Sequence, residues 1–128
     1  MVLVDTSVWI VYFRAADPSI VRTLDVLIDE DAVATLPPIR LELISGCRRS
    51  ERAGLIRCID ALHQLSVSDG TWTAAEDLAL GTRRHGVTLG AVDLLIAAAC
   101  DAHQVPLWTL DRDFDPLFGK GLVKPYRP

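Results

Sequence analysis

The chain has 128 residues, half of them hydrophobic and 23% charged, so residues 1–128 are expected to form one domain with a sizeable core. Its net charge of −4, taken alone, speaks against nucleic-acid binding, although the distribution of charge matters more, and its longest apolar run, Leu94–Cys100, falls far short of the ~20 residues of a membrane span. Three cysteines without a C-x-x-C pair and three histidines without ligand spacing argue against a disulfide framework and a zinc site.

The first residues lead directly into a strand, with no basic and apolar leader pattern, so a soluble cytoplasmic protein with no membrane contact is expected. Val2-Leu3-Val4 is a β-favouring run that stops at Asp5. Thr6 or Ser7 is suited to cap a short, bulky helix through Phe13. Asp17-Pro18 signals the next helix start, and Ile20, Leu24, Leu27 and Ile28 give that helix one apolar face. Ala32–Thr35 reads as a short strand, broken by Pro37-Pro38, which open a helix from about Ile39 to Cys47. Glu42 lies in that helix among Leu41, Leu43 and Ile44.

Arg48–Glu51 reads as a polar connection, and Leu55, Ile59 and Leu62 as the stripe of a further helix. Leu65–Val67 is expected to be a strand, followed by a turn at Ser68-Asp69-Gly70. Thr73-Ala74-Ala75-Glu76 has the form of a capping box, opening a helix that Gly86 stops. The segment from about Ala91 to His103 is apolar almost all round and reads as a central helix, with Asp93 its only charge before Asp101. Leu107–Leu110 is a second strand-like run ending on a carboxylate, Asp111; Leu122–Lys124 reads as a last strand. Strands alternating with helices predict a three-layer α/β/α fold with a short, mainly parallel sheet of four or five strands.

Asp5, Glu42, Asp93 and Asp111 are the acids in unusual places. Each has an ordinary explanation: a helix cap, an exposed face, a first helical turn, a turn start. In open α/β sheets, however, sites form beyond the carboxyl ends of strands, and two strands here finish on an Asp. Clustered carboxylates repel one another, and some stay protonated near neutrality unless a cation offsets their charge. Mg²⁺ or Mn²⁺ is the matching cation, being hard and oxygen-seeking, and such a site suits phosphodiester hydrolysis. Ser7 has no evident His partner, G-x-S-x-G is absent, and no Gly-rich phosphate loop is present. Arg48, Arg49, Arg83 and Arg84 fall in local basic clusters and are candidates for RNA contact.

Four short motifs in order give a family likeness: Val4-Asp5-Thr6-Ser7-Val8-Trp9, Glu42-Leu43, Asp93-Leu94-Leu95-Ile96-Ala97-Ala98, and Thr109-Leu110-Asp111-Arg112-Asp113-Phe114. Nearly end to end, the sequence resembles PIN-domain ribonucleases, specifically VapC-type toxins of bacterial toxin–antitoxin modules. The resemblance implies a Mg²⁺- or Mn²⁺-dependent endoribonuclease in which Asp5, Glu42, Asp93 and Asp111 match the acidic quartet. Asp5, Asp93 and Asp111 match the metal ligands. Thr6 or Ser7 matches a hydroxyl supporting the first acid, and Thr109 the hydroxyl at the end of the fourth strand. Asp113 and Asp115 lie where relatives carry a further acid, and Asp115 beside Pro116 equally suits a helix cap. The resemblance also implies a homodimer silenced by a cognate antitoxin. Two other readings stay open: a receiver-like domain with a phospho-accepting Asp, and a catalytically silent PIN-like interaction module.

Overall fold

The structure is a computed structural model that describes all residues, 1–128. Its centre is a parallel sheet of four strands, β1 (Val2–Val4), β2 (Val33–Thr35), β3 (His63–Gln64) and β4 (Leu107–Trp108), in the order β3-β2-β1-β4. β1 and β2 are buried at every position, as strands covered on both faces must be. Of their six residues only Thr35 is polar, and it is buried as well. Leu3 pairs with Ala34 on one flank and Leu107 on the other.

The helices are α1 (Thr6–Phe13), α2 (Pro18–Asp29), α3 (Pro37–Gly46), α4 (Arg52–Asp60), α5 (Asp69–Arg84), α6 (Ala91–His103) and α7 (Asp115–Gly119). The crossovers β1→β2→β3 step one way across the sheet and the β3→β4 crossover steps back. Right-handed connections therefore put α1–α4 on one face and α5–α6 on the other. Packing agrees: α1 meets α2 and α3, while α5 and α6 pair along Ala75, Leu95 and Ala98. This is the three-layer α/β/α arrangement expected from the alternation of strands and helices. Six consecutive residues of α6, Leu95–Cys100, are buried, which explains why its sequence is apolar all round.

Several local expectations are corrected. Asp5, not Thr6 or Ser7, holds the cap position of α1, and its carbonyl accepts from the N–H groups of Val8 and Trp9. Both hydroxyls turn to acid side chains instead. The third strand is His63–Gln64 rather than Leu65–Val67. It is an edge strand whose polar side chains bond to nearby carbonyls, His63 to Asp31 and Gln64 to Ile59, so it carries no apolar signature. α5 starts at Asp69, capped by the Ser68 hydroxyl, which accepts from the Thr71 N–H at 3.3 Å. Thr73 is inside the helix and donates back to the Asp69 carbonyl, so the Thr73–Glu76 capping box does not form. β4 closes at Trp108, which frees Thr109 and Leu110 from the ladder. The last strand is reduced to one parallel bridge, Leu107 to Pro125. Of the cysteines only Cys100 is fully buried; Cys47 and Cys58 are half-buried, and all are free thiols.

Candidate metal centre and active site

The chain moves outward from β1 to β2 on one side and to β4 on the other, so the sheet order reverses between β1 and β4. A crevice opens at such a switch point, beyond the carboxyl ends of the two strands. Asp5 leaves β1 and Asp111 follows β4, so both enter this crevice. α6 runs back over the sheet to β4, which brings its N-terminal turn, bearing Asp93, to the same edge. Glu42 comes from α3, beside α1.

Asp5 is buried, and its Oδ2 accepts two hydroxyls, Ser7 Oγ at 2.7 Å and Thr109 Oγ1 at 2.8 Å. Each hydroxyl in turn accepts a backbone N–H: Ser7 Oγ from Leu110 at 3.0 Å and Thr109 Oγ1 from Asp111 at 3.0 Å. This closed set of bonds ties the end of β1 to the segment after β4. Next, Asp111 Oδ1 accepts the N–H of Asp113 at 2.9 Å as the 3-10 turn Arg112–Phe114 begins. That Asx turn folds the two carboxylates toward each other.

One oxygen each from Asp93, Asp111 and Asp113 lies within 4.8 Å of the others. Burial, then the charges of Asp111, Asp5, Asp113 and Glu42, raise the Asp93 pKa from 3.8 to about 6. The first turn of a helix favours an anion, so burial and crowding outweigh the helix dipole here. Glu42 is exposed, and its Oε1 accepts the Thr6 hydroxyl at 3.1 Å.

A PIN domain profile matches residues 2–117. The chain belongs to the PIN-domain family. Among relatives of this PIN domain, VapC ribonuclease Mb1587 of Mycobacterium bovis is 34% identical over 120 residues, 90% of each chain. Ribonuclease VapC32 of Mycobacterium tuberculosis is 36% identical over 115 residues, 88% of this chain and 86% of its own. Two solved structures share the fold. The Rickettsia felis VapBC2 complex, bound to a promoter DNA fragment, has a TM-score of 0.77 at 18% identity over 98% of each chain. FitAcB of Neisseria gonorrhoeae has a TM-score of 0.75 at 21% identity over 100% of this chain and 98% of that one.

The PIN topology also removes the receiver-like alternative, whose sheet order is 2-1-3-4-5. Of the candidate residues, the fold brings Asp93 and Asp111 together and adds Asp113. Asp5 stands next to them without entering the three-oxygen group, and Glu42 with Thr6 stands on its α1–α3 flank. Asp115 is the first residue of α7 and takes no part in the group. Arg48 lies in the loop after α3, beside a groove that starts at Glu42, whereas Arg49 is exposed in that loop. Arg83 and Arg84 are exposed in the last turn of α5. The groove also exposes Arg14, which the sequence did not single out because nothing local sets it apart.

Proposed function

We propose that this PIN domain, residues 1–128, is a divalent-metal-dependent endoribonuclease and the toxin of a toxin–antitoxin pair. The observation carrying this reading is the meeting of Asp93, Asp111 and Asp113 within 4.8 Å, a set of hard oxygen donors. It suits Mg²⁺ or Mn²⁺, which take a few carboxylates and keep room for substrate oxygens. The names of the relatives, VapC ribonucleases, and of the VapBC complexes support RNA as substrate and an antitoxin as partner. A homodimer is part of the same proposal. No helix is long and apolar enough to cross a membrane.

Asp93, Asp111 and Asp113 would hold the ion, with Asp5 beside them. When bound, it supplies Lewis-acid stabilisation of charge developing on the phosphodiester. The protein's own groups do the rest. Ser7 and Thr109 both donate to Oδ2 of Asp5, which holds that carboxylate in place and leaves its Oδ1 free of side-chain hydrogen bonds. Thr6 holds Oε1 of Glu42 and leaves its second oxygen to orient, or take a proton from, an attacking water. Asp93 must shed its proton before it ligates, which its pKa of about 6 permits at neutral pH.

Asp93→Asn and Asp5→Asn should each abolish Mn²⁺-dependent cleavage of RNA while leaving the far-UV circular dichroism and the cooperative melt in place. Undiminished cleavage by both variants would remove the site assignment. A wild-type protein that takes up no divalent ion at millimolar concentration would point to the silent interaction module. Mapping new RNA 5′ ends after induction, against the Asp5 variant, would identify the target.

A further inference from the structure

A groove of about 350 Å³ opens beside the acid cluster, and Thr6 and Glu42 are the only lining residues that the chemistry above uses. It starts at the hydrogen-bonded pair Thr6 and Glu42 and runs along α1 past Ile10 to Phe13 and Arg14. Thr6, Ile10 and Phe13 fall at i, i+4 and i+7, one face of the helix. Gly46 and Arg48 are on its α3 side.

We propose that this groove is a nucleotide subsite, seating one unpaired nucleotide of the RNA strand next to the scissile phosphodiester. The inference rests on the ribonuclease reading and specifies how its substrate is held. Size is the first argument. Ligand sites run from ~300 to 1,000 Å³, and this groove is at the small end, room for one nucleotide. An amphipathic helix would need a longer row of apolar anchors. Here Leu43 and Leu55 are already buried, so the apolar surface open to a ligand is chiefly Ile10 and Phe13.

The second argument is the aromatic platform. Phe13 is 39% exposed, and its ring stacks on buried Trp9 at 5.6 Å and 22° between planes. Tyr12 meets its edge at 5.4 Å. The ring is therefore ordered before any ligand arrives. Every base has a π-face, so such a ring holds single-stranded RNA without demanding one sequence.

Charge is the third argument. Arg14 and Arg48 are exposed and make no ion pair, unlike Arg40, which pairs with Asp60. Both arginines line the same groove as the ring, which supplies cations for the phosphates next to a stacked base. Glu42 and Glu51 also line the groove, so the attraction is local to those arginines. Gly46 adds no side chain to the α3 side of the groove, and a Cβ there would meet nothing within 4 Å.

The test uses a short fluorescein-labelled single-stranded RNA of mixed sequence, bound in EDTA and cleaved in Mn²⁺, with melting curves for each variant. Phe13→Leu should weaken binding ~tenfold, and Phe13→Tyr should restore it. Arg48→Ala should make the slope of log affinity against log salt less steep by ~0.7, the share of one phosphate on a single strand. Gly46→Leu, whose Cβ has open space and whose side chain adds bulk on the α3 side of the groove, should raise KM and spare kcat. Wild-type cleavage together with unchanged binding in Phe13→Leu and Gly46→Leu would overturn the subsite and leave the ribonuclease reading standing. Weakened binding in those variants without cleavage by any form would uphold a nucleotide site in the groove but overturn the ribonuclease reading, and with it the placing beside a scissile bond. Unchanged RNA binding with relief of inhibition by a partner protein would assign the groove to that protein and overturn the subsite.

Discussion

The Thr109 hydroxyl donates to Oδ2 of Asp5 at 2.8 Å across 104 residues of chain, and the same oxygen accepts the N–H of Asp111 at 3.0 Å. The Thr109 hydroxyl oxygen thus sets the positions of two acids that follow different strands. Thr109→Val keeps the shape and removes both bonds. It is expected to lower kcat ~10- to 100-fold with little change in KM, the usual loss when a supporting hydrogen bond to a metal-site acid is removed. Thr109→Ser should recover most of the rate, measured by steady-state cleavage of a labelled RNA.

Ion binding should depend on pH through Asp93. Its pKa is raised from 3.8 to about 6, so an ion must displace a proton below that point and affinity should climb as pH rises through it. Titration calorimetry with Mn²⁺ in buffers of different ionisation enthalpy would show the released proton; equal affinities on both sides of that pH would refute it.

The ion-free protein should show the opposite trend in stability. The folded state keeps the Asp93 proton longer than the unfolded state does, so this contribution is full below 3.8 and lost as pH rises through about 6. Asp93→Asn should flatten that part of the pH profile in thermal melts recorded in EDTA.

Asp113 and Asp115 are expected to separate cleanly. Asp113→Asn removes one oxygen donor from the three-acid group and should weaken Mn²⁺ binding at least ~tenfold. Asp115→Asn, in the first turn of α7, should leave it unchanged and cost only a little stability through the helix dipole. Equal losses in both would mean that the ion sits elsewhere.

Two substitutions away from the site should stabilise the fold. Thr35 is fully buried and its Oγ1 has no partner in the chain, so Thr35→Val should add about 1 kcal/mol. Ala15 follows α1 with a φ of 49°, a left-handed conformation that strains a Cβ, so Ala15→Gly should add about 0.5–1 kcal/mol. Denaturant unfolding of the single variants would measure both.

Much of the site could be read from the sequence because its acids interrupt apolar runs. Asp5 ends a strand with no polar residue, and Asp93 is the only charge in α6 before Asp101; burial forces those patterns. The choice between Asp113 and Asp115 could not be read. It depends on a 3-10 turn set by the Asp111 side chain, and both residues look alike in composition. β3 carries no apolar pattern because an edge strand tolerates any side chain, and here His63 and Gln64 bond to backbone carbonyls. The start of α5 was hidden because Ser68-Asp69-Gly70 is equally good turn chemistry, and only packing against α6 selects the helix. The groove joins α1, α3 and the loop beyond it, so no local pattern encodes it.

The two rims of the sheet have a consequence of their own. β3 is only His63–Gln64, and outside β4 the chain contributes a single bridge at Pro125, a residue with no N–H to offer. Neither border presents a run of free amides long enough to template a neighbouring chain, so fibril-like stacking finds no starting point. Association with other macromolecules is thereby left to the helical layers and the crevice, the surfaces where side chains rather than backbone choose the company.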